Sequence, residues 1–252
     1  MAIHDIEYRV IKPNPELSDF VESFWMLANH SDEEQEVIIL PDGRIDIFFS
    51  ISATEPYHVT LLGLESEPGK STILPNTVNF AISLKLLAVE YVLDTHIAPF
   101  LNTASDLPAD FFGFTANDLQ DFSEFCAKAS DTMAARLDRN IDERKRKLFD
   151  LIYTTNGAIP VKELSETVSW SSRQINRYFN QRFGISLKAY CTILRFRASF
   201  QHIKEGKLFP EQNFADQAHF IRDVKKYAGV APKELSRNQN DRFIQFSTLP
   251  KS

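Results

Sequence analysis

Two stretches of the chain set basic and amide side chains on the polar side of a helical repeat. In Ser171–Phe183, Ile175, Phe179 and Phe183 recur at steps of four and define an apolar face. Arg173, Asn176 and Arg177 fall on the opposite side, near the start of that repeat. In Gln217–Ala228 the apolar face is Phe220 and Val224, and Gln217, His219 and Arg222 lie outward. These residue types suit the reading of base edges. Arg donates two hydrogen bonds to guanine, and Asn pairs with adenine. A helix carrying them is narrow enough to enter a major groove, where its N-terminal outer positions meet the bases. Arg182 and Lys188 are the expected phosphate contacts, which position a protein without reading sequence. His219 has a second reading as a packing or capping residue.

Other chemistries find little support. The six histidines, at 4, 30, 58, 96, 202 and 219, lack metal-ligand spacing. No Gly-x-Ser-x-Gly elbow, Gly-rich phosphate loop or dinucleotide fingerprint is present. Cys126 and Cys191 are too few for a disulfide framework or a zinc site, and read as buried thiols in a reduced, cytosolic setting. No enzyme activity, cofactor or metal is expected.

The elements that must hold the base-reading residues are short helices. Asp142–Thr155 is amphipathic and ends at Asn156-Gly157; Val161–Val168 follows Pro160. Ser169-Trp170 is then a tight connection into Ser171–Phe183, where Ser171 and Gln174 are spaced as a capping box. Two short helices joined this way form a helix-turn-helix. Gly184 stops the second, and Ser186 caps a long helix expected over Leu187–Lys204. At about 1.5 Å per residue that helix would span about 27 Å. It could hold two recognition helices close to one turn of DNA apart, roughly 34 Å. Asp216 caps Gln217–Ala228, and Gly229 and Pro232 end it.

The first hundred residues follow another pattern. Val37–Leu40, Ile45–Ile51, Val59–Leu64, Val78–Leu84 and Leu86–Leu93 are β-like runs between turn signals. Pro41-Asp42-Gly43 reads as a hairpin connection. Asp19–Leu27 fits a short helix or a strand. From Thr115 the period changes: Leu119, Phe122, Cys126, Ala129, Met133 and Leu137 mark one helix face. That stripe either packs on its own domain or pairs with a second subunit to make a homodimer.

The chain has 252 residues, 43% of them apolar and 25% charged, within the range of soluble globular proteins. It has no stretch of apolar residues long enough to cross a membrane, and its first residues lead us to expect no secretory leader. Its net charge of −6 conceals a split: residues 1–140 carry −15 and residues 141–252 carry +9. The basic half has the right sign for a polyanion, and the acidic half would be repelled by one.

The stretch Val161–Leu235, 75 of the 252 residues, resembles the DNA-binding domain of the AraC family of bacterial transcription regulators. Phe214-Ala-Asp-Gln-Ala-His-Phe-Ile-Arg-Asp223, followed by Lys225-Lys-Tyr-Ala-Gly-Val-Ala-Pro232, is similar to the family signature around its second recognition helix. Leu164-Ser-Glu-Thr-Val-Ser-Trp-Ser-Ser-Arg-Gln-Ile-Asn-Arg-Tyr-Phe179 resembles the first motif. The resemblance implies that Arg173, Asn176, Arg177, Gln217, His219 and Arg222 stand at or near base-reading positions. The sequence departs from the family in two places. Ser169 stands where the family has Gly, and the six residues Lys207–Gln212 replace a whole supporting helix, with Pro210 among them. The second motif is therefore expected to be truncated.

More loosely, Ile6–Gly113 resembles the sensor domain of some members, through Leu40-Pro-Asp-Gly-Arg-Ile-Asp-Ile-Phe-Phe49. In relatives such a domain binds a small effector or mediates dimerisation. Arg44 with Asp42 and Asp46 is either a polar cluster in a ligand site or part of a surface hairpin. The run Arg144–Lys147 is either a solvated face or a set of phosphate contacts.

The expected architecture is α+β. A β-rich sandwich or barrel-like sensor or dimerisation domain occupies residues 1–114, a linker helix 115–140, and an all-α helix-turn-helix domain 141–252. The expected partner is double-stranded DNA, with regulation by a small effector and no membrane. The competing reading is a protein-interaction module reusing the helix-turn-helix fold.

Overall fold

The computed structural model describes residues 6–209, 214 and 216–249. Its N-terminal half is antiparallel β-structure and its C-terminal half is helical, the expected α+β architecture. The strands are β1 (Ile6–Ile11), β2 (Val21–Asn29), β3 (Gln35–Ile39), β4 (Ile45–Ile51), β5 (His58–Leu62), β6 (Gly69–Ile73), β7 (Thr77–Leu84) and β8 (Ala104–Leu107). Six form one sheet in the order β1-β2-β7-β4-β5-β8, and β3 pairs with β6 in a second. Pro41-Asp42-Gly43 therefore does not join a hairpin; it carries the chain from the small sheet to the large one. The short-range signal is overridden because β3 finds its partner at β6 and β4 lies between β5 and β7.

The large sheet alternates by face, as half-buried strands do. Phe24, Met26, Ile47, Phe49, Phe80 and Ile82 pack into the main core. The other face turns Trp25, Leu27, Asp46 and Phe48 toward β3 and β6. The Leu86–Leu93 run, expected as strand, opens with helix α1 (Leu86–Tyr91), whose residues are buried on almost every side and so show no amphipathic period.

Helix α2 (Phe122–Arg136) begins at Asp121, whose carboxylate accepts from the backbone of Ser123 and Glu124. Thr115 caps a short 3-10 turn just before it. The stripe Phe122, Phe125, Cys126, Ala129 and Met133 is buried in the chain's own core. Phe125 sits 5.3 Å from Phe49 and 5.2 Å from Phe80, ring to ring. The face that could have paired with another subunit is thus spent on this sheet.

The helical half comprises α3 (Glu143–Thr154), α4 (Val161–Thr167), α5 (Ser172–Phe183), α6 (Leu187–Ala198), α7 (Phe200–Lys204), α8 (Gln217–Ala228), α9 (Pro232–Arg237) and α10 (Ile244–Thr248). The single long helix expected over 187–204 is two. Ser199 breaks it, its backbone and hydroxyl both donating to the Phe196 carbonyl at 3.0 and 2.6 Å in a tightened turn. No helix forms among the described residues between Lys204 and Gln217; Pro210 to Asn213 and Ala215, on which the expected truncation of the second motif falls, lie outside the described residues. No helix among the described residues is long and apolar enough to cross a membrane.

One apolar core runs without interruption from the large sheet through α2 into the helical half. A smaller cluster of Leu27, Val37 and Ile73 joins the two sheets.

Candidate functional site

Helices α4 and α5 meet through a turn in which Ser169 adopts φ +53°, the left-handed region that glycine favours. The sequence departure at this position therefore leaves the turn geometry in place. Ser171 caps α5: its hydroxyl accepts from the Gln174 backbone while the Gln174 side chain accepts from the Ser171 backbone, both halves of the expected capping box. Ile175, Phe179 and Phe183 are fully buried. Gly184 ends the helix at φ +74°, and a Cβ there would stand 2.9 Å from the Ala98 carbonyl, so α5 is seated directly on the 98–100 segment.

Arg173 and Arg177 are exposed and make no hydrogen bond or ion pair among the described residues. Asn176 is half-buried, and its amide donates to the Ser172 carbonyl of its own helix at 3.0 Å. On α8, Arg222 is exposed, while Gln217 donates to the Leu208 carbonyl at 2.7 Å. His219 lies 3.2 Å from the Asp223 carboxylate and edge-on to Phe214, which gives it a local structural role. The two sets stay on separate helices, with α6 packed against both.

The two expected phosphate contacts part company. Lys188 is exposed at the start of α6. Arg182 turns inward, donating to the Thr95 carbonyl at 2.8 Å with Glu90 3.8 Å away, because the 95–97 segment lies against the end of α5. The basic run on α3 is likewise engaged: Arg144 with Asp142, Lys145 with Glu90, and Arg146 with Glu143 and Asp19. Only Lys147 of the four is exposed without a partner among the described residues.

A cavity of about 430 Å³ lies between the two sheets, with Ile244, Gln245 and Thr248 of α10 in its wall. Gln245 holds that helix in place, accepting from the Leu40 backbone at 3.0 Å and donating to its carbonyl at 2.9 Å. The surface-hairpin reading of Asp42, Arg44 and Asp46 gives way here, since all three line the cavity and Arg44 is only 6% exposed. Arg44 and Arg197 each stand 3.0 Å from the Glu22 carboxylate. Burial opposes ionisation of Glu22, but Arg44, Arg197 and Lys12 outweigh it and hold the carboxyl well below the usual range. Asp46 is pushed up to about 7 by burial and then by Asp42. Glu65 is pushed up to about 8 by burial and by Asp42 and Asp46.

A second cavity of about 590 Å³ lies between the halves, lined by Lys85 and Asp19 on one side and Arg146 and Tyr153 on the other. Glu22, Arg44 and Arg197 belong to both cavity walls. Sequence reasoning missed Glu22, Glu65 and Arg197: Glu22 and Arg197 are charges among apolar neighbours, and Glu65 opens a polar turn that reads as surface.

The fold thus combines a β-sheet half that encloses a cavity with a helical half in which α4 and α5 meet at a tight turn. Residues 9–106 match a family described as a domain of unknown function (DUF6597). No curated protein matches. Among solved structures the chain is similar to ToxT from Vibrio cholerae, at 11% identity and a TM-score of 0.47, over 92% of this chain and 98% of that one. ToxT from strain O395 bound to (E)-4-(8-methylnaphthalen-1-yl)but-3-enoic acid gives 11% identity and a TM-score of 0.40, over 92% and 98%. Unsaturated fatty acid bound ToxT from strain SCE256 gives 12% and 0.39, over 91% and 93%.

Proposed function

We propose that this chain is a sequence-reading regulator of transcription that binds double-stranded DNA through α5 and takes a small effector in its β-sheet half. The observation that carries the reading is the pair Arg173 and Arg177, exposed and unengaged among the described residues, on a capped helix behind a tight left-handed turn. Free guanidiniums at that end of the second helix are what base recognition in a major groove requires. The positive balance of the helical half and the motif resemblance support it. Asn176 adds a base contact by giving up its bond to Ser172, and Lys188 is the phosphate contact. Of the three expected base readers on α8, Arg222 is exposed and unengaged among the described residues; Gln217 and His219 would first have to leave their intramolecular partners. Residues 141–252 carry the DNA-binding part and residues 1–114 the effector part, with 115–140 between them.

The test is selection of full-length protein against a pool of random duplexes at two salt concentrations. Enrichment of one motif, with log K falling steeply against log salt, supports the reading. A folded chain that enriches no motif at either salt overturns it.

A further inference from the structure

The lining of the cavity between the sheets carries a charge imbalance that its own residues do not resolve. It contains five carboxylates, at Glu22, Asp42, Asp46, Glu55 and Glu65, against two guanidiniums, at Arg44 and Arg197. Both guanidiniums are engaged with Glu22 at 3.0 Å, and Arg197 also reaches Asp42 at 4.0 Å. Asp46, Glu55 and Glu65 form no ion pair among the described residues, and Arg44 acts on Asp46 only at longer range. The remaining titratable base in the wall, His58, is turned to the Pro56 carbonyl at 2.9 Å.

Beside these acids stands a fixed aromatic wall. The Trp25 indole donates to the Asp46 carboxylate at 3.1 Å, which fixes the ring and the acid together. Phe48 meets Trp25 edge-on at 5.2 Å, and Tyr8 lies 6.1 Å away. Aromatic rings and carboxylates without an ion pair in one wall are complementary to a positive charge with apolar flanks, since ring faces and acids attract the same group. The volume of about 430 Å³ falls within the range of small-molecule sites. A bound cation would favour the ionised form of acids that burial otherwise disfavours.

We propose that this cavity takes a small organic cation, an ammonium group on an apolar or aromatic body, with Asp46 and Glu65 as counter-charges and Trp25 and Phe48 as walls. This deepens the effector half of the regulator reading by naming the ligand class. Because Gln245 and Thr248 of α10 and Arg197 of α6 share the lining, the occupant touches the helical half directly.

The experiment is isothermal calorimetry and thermal denaturation of the full-length protein without DNA. The probes are phenethylamine, benzyltrimethylammonium, 2-phenylethanol and 3-phenylpropanoate, matched in body and different in charge. Saturable binding of an ammonium probe with a raised midpoint, at least about tenfold tighter than the alcohol and carboxylate, is expected. Glu65→Gln and Asp46→Asn should each weaken it about tenfold; if the Asp46 variant does not fold, Glu65→Gln carries the test. Tighter binding of the carboxylate, binding of neither ammonium probe at millimolar concentration, or binding unchanged in the folded variants overturns the proposal. Since DNA is absent, these outcomes stand apart from duplex selection, so either proposal can fail alone.

Discussion

The phenol of Tyr190, on α6, donates to the backbone carbonyl of Gly43, between β3 and β4, at 3.0 Å, joining residues 147 positions apart. The contact is close-fitting: a Cβ on Gly43 would stand 2.9 Å from the Leu194 side chain and 3.2 Å from the Tyr190 ring. Tyr153 extends it, lying 3.1 Å from the Tyr190 oxygen and accepting from the Leu86 backbone at 3.0 Å. Removing the hydroxyl takes the shorter of two hydrogen bonds from the buried Gly43 carbonyl, leaving the one from Arg44 at 3.3 Å, which costs about 0.5–1.5 kcal/mol. Tyr190→Phe is expected to lower unfolding stability by that amount in urea titration, and an unchanged midpoint would refute this role.

Arg177 and Arg182 lie five positions apart on one helix and should fail differently when truncated. Arg177→Ala is expected to weaken the preferred duplex by about 1–3 kcal/mol and to relax preference at one base pair, with folding intact. Arg182→Ala removes the bond to Thr95, so a loss of about 1 kcal/mol in stability is expected, with sequence preference retained. Duplex selection and denaturation of both variants separate the two roles; equal effects in both assays would not fit this assignment.

Ser169 holds a left-handed conformation at φ +53° that costs a non-glycine residue about 1–2 kcal/mol. Ser169→Gly relieves this strain but gives the unfolded chain more freedom, so a net gain below about 1 kcal/mol is expected. A lower thermal midpoint in the glycine variant would mean that the serine contributes a contact worth more than the strain.

Stability should fall as pH rises from about 5 to about 8. Asp46 and Glu65 are raised to about 7 and about 8 in the folded chain, so folded protein binds more protons than unfolded protein across that range. Their favourable contribution is fully present below the unfolded carboxylate range and is lost as pH passes the folded values. Glu22 acts in the opposite sense: its carboxyl is depressed, so its stabilisation is present above the ordinary carboxylate range and is lost in acid. Thermal midpoints across this pH range should decline less steeply in Asp46→Asn than in the parent, and parallel curves would count against the shift.

The sequence by itself determined α5 and α8 of the helical half. Ser171 with Gln174, Asp216, Gly184 and Gly229 act within one or two turns of their own backbone, so α5 and α8 follow from nearest-neighbour chemistry. The exposure of Arg173 and Arg177 was legible for the same reason, since the apolar step of four fixes which side is outward. Tertiary structure decided the rest. Whether Arg182 meets solvent or Thr95 depends on a segment 87 positions away, and no spacing within α5 encodes that. The partner of β3 is β6, 30 residues on and past two other strands, because pairing is chosen by the faces that can be buried together. The cavity is the extreme case. Glu22, Asp46, Glu65, Arg197 and α10 come from distant parts of the chain, and each alone looks like an ordinary surface charge or a short terminal helix. Only the packing of the two sheets and the helical half brings these scattered carboxylates and guanidiniums into one cavity wall, because no local spacing encodes contacts between distant segments.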